Sequence, residues 1–598
     1  MNRKWSLYAL LLIFVVFISL LLAFPPDRAL TWDVFGYYLY LPAHFIYGDL
    51  FLQDQSWLDS IIAQYEPSST LYQLYKMESG KWVIKYSMGM AIFFTPFFFI
   101  AHWIAPILGY AADGFSPPYQ YIISWGALLY VCIGLSLLRK VLLRYFSEAM
   151  TATLLLLLVL GTNFLQMVGL FGILLSHNLA FSLYVLIFWA TIEWHERPRW
   201  NMGFLLGLSL GLLTIVRPTE ALLILIPILY GITGRDSFKA KITLVKANFS
   251  HVLNAVFGGL IGIAPQFIYW KNATGNWFHY AYDNPGEGFE FFNPYTLEFL
   301  FSFRKGWFIY TPIMILAVLG LFMLRKKQAK LFLGFLVFFL VDLWVVSSWS
   351  CWWYAGGSFS SRSMIPVYAL LLIPMGYMLK WIWEKPRVKA YGITVMGCLV
   401  VLNLFQTYQF NIGVIDSGRM SKAYYFKTFG KTTVNEEDRD LLLVKRAFTL
   451  DGEILDRPER YTQTPWVLRT FEDQEGGVIT LSSENLFSPA EERPFGQLTS
   501  KNHAWVRVTA MVLKMDSIES TTPAIVMHFS HKDKPYKYVA HNWPKEALNV
   551  GEWASLSKDY LTPEVRSIND PIKIYVWNQG GGNYQVDDLK IEVFQPNF

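Results

Sequence analysis

Long apolar runs, punctuated by short cationic turns, dominate this chain from its start to about residue 410. A bilayer's hydrocarbon layer is spanned by roughly 20 mostly apolar residues of helix. Runs of that kind fall near 6–24, 119–138, 150–168, 178–192, 203–216, 220–233, 252–270, 308–324, 331–348, 364–380 and 391–408, eleven in all. So much continuous apolar sequence excludes a string of soluble domains and points to a polytopic membrane protein. Composition agrees. Hydrophobic residues make up 54% of the 598 and charged residues only 16%, against about 25% charged in an ordinary soluble chain. The net charge of +5 is small, and no basic run with interleaved aromatics marks a nucleic-acid partner. The three cysteines, Cys132, Cys351 and Cys398, lack C-x-x-C spacing, which argues against a disulfide framework and a structural zinc site.

A twelfth apolar run, 86–110, carries Pro96 and Pro106. Loop charge decides how to read it, because Lys and Arg collect in the cytoplasmic loops of membrane proteins. If 86–110 does not cross, nineteen Lys and Arg fall on the cytoplasmic side and nine on the other side, up to residue 408. If it crosses, the bias reverses. The run is therefore expected to form a re-entrant or interfacial amphipathic hairpin on the outer face. The opening MNRKWSLYALLLIFVVFISLLLAFPPD looks like a signal peptide without a small-x-small cleavage site, and reads as a retained anchor. The expected protein sits in the plasma (inner) membrane as a multi-pass chain. Its N-terminus is cytoplasmic and its C-terminal domain extracytoplasmic. Three outer loops of substance follow: 25–118, 271–307 and 347–363.

The outer loops hold the residues that membrane insertion does not explain. Asp33 lies just beyond the first run, among Trp32, Phe35, Tyr37 and Tyr38. A carboxylate in such surroundings is costly without a partner or a task, and desolvation can tune it as a general base. Lys85 leads into the 86–110 run, at the depth of lipid headgroups, where a cation suits a phosphate and also suits simple snorkelling. Arg304 and Lys305, in FSFRKGWFIYTP, and Arg362, in SSWSCWWYAGGSFSSRSMIPVY, also sit beside runs. Arginine matches phosphate oxygens in a bidentate fork. Gly356 and Gly357 would let backbone approach a ligand. Trp349, Trp352, Trp353 and Tyr354 suit sugar stacking or the membrane interface. His177 reads as a ligand contact or a hydrogen-bonded packing residue. Arg217 and Glu220 stand at helical pairing distance.

These features together resemble the GT-C class of membrane glycosyltransferases, and within it the protein mannosyltransferase and aminoarabinose transferase branch. VIKYSMGMAIFFTPFF is similar to that branch's lysine-tyrosine-proline-proline-glycine segment, with Ser87 and Met88 where prolines are common. YAGGSFSSRSMIPVY is similar to a Gly-Gly-x-Ser-Phe-Gly-x-Arg stretch of related bacterial proteins, with Ser360 in place of the usual glycine. FRKGWFIYTP also fits. The resemblance covers about residues 1–410. It implies a polyprenyl-phosphate sugar donor, an acceptor on the outer face (a glycan, lipid or protein) and inversion at the anomeric carbon. It implies that Asp33 is the catalytic aspartate and that Lys85 lies near the donor phosphate. Arg304 and Arg362 are the further phosphate-binding candidates, and Tyr37, His177, Trp353 and Tyr354 the candidate acceptor or sugar contacts. Many relatives carry an Asp-Glu pair where Val34 follows Asp33 here, a departure that counts against direct transfer to a protein Ser or Thr. Relatives differ in needing a divalent metal, and the sequence shows no ligand cluster that decides the matter.

Residues 413–430 read as a polar linker and 431–598 as an external domain. Short alternating runs at 478–481, 504–512, 524–529, 572–577 and 589–594, separated by turns such as Gly476-Gly477 and Gly580-Gly581-Gly582, predict an all-β sandwich. VWNQGGGNYQVDDLKIEVF, with Asp587-Asp588 before the last strand, resembles the closing hairpin of galactose-binding-like jelly rolls, common among carbohydrate-binding modules. Trp543 and Trp553 suit a glycan platform or the core, and Trp577 is expected in the core. The whole reads as a GT-C-like helical membrane domain, of about eleven spans and an outer amphipathic hairpin, over residues 1–412, followed by a jelly-roll-like β domain. A transporter or flippase of a lipid-linked saccharide is the competing reading. It predicts repeated halves and polar residues inside spans. No internal repeat is visible, and Asp342 is the clearest acid within a run. A non-catalytic glycan-binding scaffold is the third reading, and it leaves Asp33 without a purpose.

Overall fold

The computed structural model describes residues 4–170, 172–282, 287–354, 357–444, 458–472, 477–518 and 521–597. Gly356 and Gly476, singled out above, lie outside the described residues. The chain divides into two compact units, one running through Gly418 apart from 284–288, the other from Arg419 onward.

The first unit is helical. It opens with α1 (Trp5–Ala23), then the short α2 (Asp33–Tyr38), α3 (Tyr40–Phe45) and α4 (Ser56–Tyr65), and a two-stranded hairpin of β1 (Leu74–Lys76) and β2 (Trp82–Ile84). Next come α5 (Gly89–Ile107), α6 (Pro117–Leu142), α7 (Glu148–Leu160), α8 (Ser176–Glu196), α9 (Trp200–Val216), α10 (Leu225–Leu229), α11 (Arg235–Ala247) and α12 (Phe249–Thr274). The unit finishes with α13 (Thr296–Phe301), α14 (Trp307–Tyr310), α15 (Met314–Lys327), α16 (Ala329–Ser347), α17 (Ile365–Trp383) and α18 (Pro386–Asn411). Among the described residues, seven helices are long and apolar enough to cross a membrane: α1, α5, α6, α12, α16, α17 with its 3-10 lead-in from Arg362, and α18.

That set differs from the expected eleven in an instructive way. All eleven apolar runs are largely helical, but α7, α9 and α15 have 13, 17 and 14 residues, α8 carries polar residues at both ends of its 21, and the 220–233 run is a 3-10 turn passing into five residues of α-helix. Pro218 starts that turn and Pro227 interrupts the run that follows. The expected hairpin at 86–110 is also corrected. It does not fold back on itself; it is the single helix α5, with Pro96 and Pro106 inside. Apolar helices accept internal proline where neighbouring helices re-satisfy the freed backbone groups. The partner is α6, which runs antiparallel beside α5. Phe93 stacks edge-on to Tyr130, Phe97 covers Gly126, and His102 Nδ1 meets the Tyr119 hydroxyl at 2.6 Å.

Helices α9 and α12 pack backbone against backbone. Gly203, Gly207 and Gly211 recur every fourth residue and face His251, Ala255 and Gly259 backbone. Small residues at this spacing let two backbones approach closely, which drives helix association where no hydrophobic effect separates protein from lipid.

The second unit is β-rich. The region expected as a polar linker, 413–430, holds α19 (Lys422–Thr428), capped by Ser421; Arg419 donates to the Leu443 carbonyl at 2.6 Å, and Lys431 pairs with Asp438 at 3.0 Å. The strands are β3 (Tyr461–Arg469), β4 (Ile479–Leu481), β5 (Glu491–Pro494), β6 (Trp505–Lys514), β7 (Ala524–His531), β8 (Lys534–Asn542), β9 (Trp553–Leu561), β10 (Pro571–Trp577) and β11 (Tyr584–Pro596). They form two antiparallel sheets, ordered β5-β10-β7-β8 and β3-β11-β6-β9, with β4 also on β11. Ile525, Met527, Ile572 and Ile574 of the first sheet share one core with Val506, Val508, Ile591 and Val593 of the second. Asp587-Asp588 marks a register shift in β11, with Asp588 at φ 47°. Trp543 is core, donating its indole N–H to the Ala554 carbonyl. Trp553 is exposed. Trp577 is not in the core, against expectation. Ile572, Ile574 and Val576 point inward, so the period of two along β10 turns Trp577 outward, where it stacks with Phe487.

Candidate active site

Asp33 opens α2, and its carboxylate is satisfied on both oxygens. Oδ2 accepts from Arg362 Nη2 at 3.0 Å, and Oδ1 accepts from the hydroxyls of Tyr72 at 2.7 Å and Tyr86 at 2.6 Å. Burial pushes this carboxyl upward. The Arg362 charge, with the hydrogen bonds from Tyr86, Tyr72 and Arg362, outweighs burial and holds it below its usual value. The group is therefore a carboxylate at neutral pH, with 21% of its side chain exposed. Burial and the neighbouring Asp33 charge push the Tyr37 hydroxyl up to about 12. Burial and Asp33 likewise raise Tyr72 and Tyr86, so both remain hydrogen-bond donors.

The backbone that aims these groups is unusual. Trp32, immediately before Asp33, has φ 53°, Tyr354 has φ 54° and Ser360 has φ 58°. A side chain in the left-handed region costs of order 1–3 kcal/mol and persists only where its surroundings dictate it. At Trp32 the N–H donates to Pro67 and the carbonyl accepts from Gln73 Nε2. Ser360 stands where the resembled family has glycine, and it takes up the conformation that glycine adopts without strain. The loop carrying it is tied down by Asn163, which donates to the Phe359 carbonyl at 3.1 Å and accepts from Tyr368 at 2.9 Å. That tie directs Arg362, at the start of a 3-10 turn, onto Asp33.

Other predicted residues join this cluster to differing degrees. Lys85 is buried, lies over the rings of Tyr72 at 5.9 Å and Tyr282 at 5.1 Å, and is fixed through its N–H to Gln73. Arg362 stacks on Tyr354 at 4.9 Å, and Tyr354 meets His177 edge-on at 6.3 Å. His177 is 1% exposed and neither ring nitrogen has a partner. It therefore differs from the hydrogen-bonded packing histidine that was one of its two readings. Tyr37 packs against Tyr86, with ring centroids 4.7 Å apart. Arg304 is engaged differently: its guanidinium lies 3.3 Å over the Trp353 ring and its Nε donates to the Gly418 carbonyl at 2.6 Å. Arg304 and Trp353 thus form a buttress beside the cluster, and Lys305 connects them to it. Lys305 Nζ donates to Ser358 at 3.0 Å, and burial followed by the charges of Arg362 and Arg304 pushes its amine well below the usual range. Arg217 pairs with Glu220 at 2.9 Å, as their spacing suggested.

Sequence reasoning missed Tyr72, Gln73 and Tyr86 as members of the site. Tyr86 alone left a signal, as the tyrosine after Lys85 in the resembled segment. Among the described residues, no three His, Cys, Asp or Glu side chains gather in a way that would hold a metal ion.

No family model and no curated protein matches this chain. Among solved structures it is similar to the archaeal oligosaccharyltransferase AglB from Archaeoglobus fulgidus, in complex with an inhibitory peptide and a dolichol-phosphate. Identity is 10% and the TM-score 0.37, over 73% of this chain and 59% of that one. The chain thus spans less than two thirds of that structure's length, and the site described above stands independently of the likeness.

Proposed function

We propose that the protein is a membrane glycosyltransferase that moves a sugar from a polyprenyl-phosphate donor to an acceptor hydroxyl on the outer face of the plasma membrane. The observation that carries this reading is the Asp33 carboxylate held ionised by Arg362, Tyr72 and Tyr86, with Lys85 and Lys305 close at hand. Nucleotide sugars are cytoplasmic, so an outer-face transferase needs a lipid-borne donor, whose leaving group is a phosphate. Attack by the acceptor oxygen forms the new glycosidic bond as the bond between the anomeric carbon and the phosphate oxygen breaks. The electron pair leaves on the phosphate, and the acceptor's proton passes to Asp33. A carboxylate of depressed basicity takes that proton late, once the oxygen has become acidic through bond formation. Attack opposite the leaving group inverts the anomeric centre.

Cations take up the charge on the departing phosphate. Arg362 is the first of them, since a phosphate draws it away from Asp33 and frees Oδ2 for the acceptor. Lys85 and Lys305 complete the set. Burial and two guanidinium neighbours disfavour the Lys305 ammonium, and an arriving anion offsets that penalty. Arg304 is engaged by Trp353 and the Gly418 carbonyl and stands outside this set. His177 and Tyr354 line the sugar or acceptor side.

Asp33→Asn tests the reading. Purified protein should keep its elution profile and a cooperative thermal transition, moved to lower temperature by loss of the Arg362 ion pair, while sugar transfer from a short-chain polyprenyl-phosphate sugar falls by at least about 10²-fold. Wild-type turnover by that variant ends the assignment.

A further inference from the structure

Among the described residues, helix α11 is the one long helix of the first unit with no buried residue, and its surface is sorted into four strips. At 3.6 residues per turn, Ser237, Lys241, Leu244 and Val245 share the half-buried side. Next to them, Phe238 and Ile242 stand 51% and 39% exposed. Beyond these lies a row of exposed cations, Arg235, Lys239 and Lys246, and then the exposed small or polar residues Ala240, Thr243 and Ala247. The helix is fastened by its inward lysine. Lys241 Nζ donates to the carbonyls of Pro227 at 2.8 Å and Tyr230 at 3.1 Å, beside the His195 ring. A cation spent on backbone carbonyls fixes the roll of the helix, so the exposed apolar edge and the basic row keep their directions.

The neighbours of α11 place it at a membrane edge. It follows the apolar 218–229 segment and leads directly into α12, whose length and composition suit a crossing and whose first turns expose Phe249 and Leu253. The Gly231 N–H donates to the Lys330 carbonyl, which brings the exposed Arg325, Lys326 and Lys327 of the α15–α16 turn to the same edge. The sole acid of α11, Asp236, lies in its first turn, where the helix dipole favours it.

We infer that α11 lies flat in the bilayer surface and is a binding site for anionic phospholipid. Phe238 and Ile242 dip among the acyl chains, Arg235, Lys239 and Lys246 meet the headgroup phosphates, and Ala240, Thr243 and Ala247 face water. The order of the strips carries this choice of partner, because apolar edge, cationic row and water-facing side succeed one another as the layers of a leaflet do. A protein partner would require no such sequence. Basic groups at a charged leaflet each add attraction for anionic lipid.

The test uses the full chain reconstituted in phosphatidylcholine vesicles containing trace spin-labelled phosphatidylglycerol or spin-labelled phosphatidylcholine. The motionally restricted fraction of each lipid is read by electron paramagnetic resonance. The wild-type protein should prefer phosphatidylglycerol, and the triple variant Arg235→Gln, Lys239→Gln, Lys246→Gln should lower that preference by at least about fivefold. A preference unchanged by the variant overturns the proposal. A second measurement places nitroxides at Ile242→Cys and Thr243→Cys after replacing the three native cysteines by alanine. Position 242 should be reached by oxygen in preference to an aqueous nickel chelate, and position 243 should show the reverse. Water accessibility at both positions also overturns the proposal.

Discussion

Arg362 Nη2 donates to Asp33 Oδ2 at 3.0 Å across 329 residues of chain, closing the link between the segment after α1 and the loop before α17. Arg362 supplies a counter-charge that keeps Asp33 ionised, and in the proposed reaction it would also bind the donor phosphate. Arg362→Gln should therefore lower kcat/KM for the lipid-phosphate donor by about 10³-fold. It should also cost about 2 kcal/mol of stability, as the hydrogen bond to a charged group is lost. Arg362→Lys keeps the charge but not the reach of the fork, and should recover only part of the rate. Steady-state kinetics and thermal unfolding in detergent, run on both variants, separate the two contributions.

The two tyrosines on Oδ1 set the pH range of the site. The Asp33 carboxyl is held below its ordinary value, near 4 in the unfolded chain, so the wild-type rate should show no loss from this group between about pH 5 and 8. Tyr72→Phe or Tyr86→Phe removes a donor that favours the charged form, which raises the pKa and moves the acid limb upward in pH. The double variant should move it furthest. The same depression implies stability that is complete above the unfolded value and is lost as pH falls through the folded one. Asp33→Asn should flatten that part of the stability profile. An acid limb unmoved in the double variant would contradict the assignment of Asp33 as the titrating group.

The α9–α12 pair depends on the missing side chain of Gly207. A Cβ there would lie 1.7 Å from the Ala255 carbonyl oxygen and 2.5 Å from its carbon, backbone that cannot rotate aside. Glycine to alanine inside a helix ordinarily gains up to about 1 kcal/mol. Here overpacking reverses the sign, and Gly207→Ala should lose about 1–3 kcal/mol. Gly397 in α18 has nothing within 4 Å of the same construction, so Gly397→Ala should be neutral or stabilising in the same thermal assay.

Asp33 and Arg362 were legible in the sequence because a charge beside an apolar run needs a reason. Their partners were not. Tyr72 and Gln73 lie in a loop rich in aromatic and polar residues, where no periodicity says which side chain turns inward. The hydrogen bonds that select them close over 39 and 41 residues. Arg304 carried the same sequence signal as Arg362, yet it is taken up by Trp353 and the Gly418 carbonyl, a packing outcome that composition does not encode. The β-strands were legible because alternation survives in one dimension. The same alternation turns Trp577 outward, against the expectation that its place in a β run puts it in the core. The short helices α7, α9 and α15 show the limit of counting apolar residues, since a run records burial and lipid contact without recording where the helix stops.

Gly36 gives a test of the site that leaves every polar group in place. It lies one turn beyond Asp33, and a Cβ built there would sit 2.4 Å from Tyr86 Cδ2, 2.9 Å from Cε2 and 3.1 Å from Gln73 Cβ. These are ring and stem atoms rather than flexible ends, so Gly36→Ala must displace the Tyr86 ring, and with it the hydroxyl that donates to Asp33 at 2.6 Å. The variant should lose at least as much activity as Tyr86→Phe and shift the acid limb in the same direction. Combining the two should cost less than the sum of the separate losses, because both act through one hydrogen bond. Full additivity of the two rate losses would show that Gly36 and Tyr86 act on catalysis by separate routes.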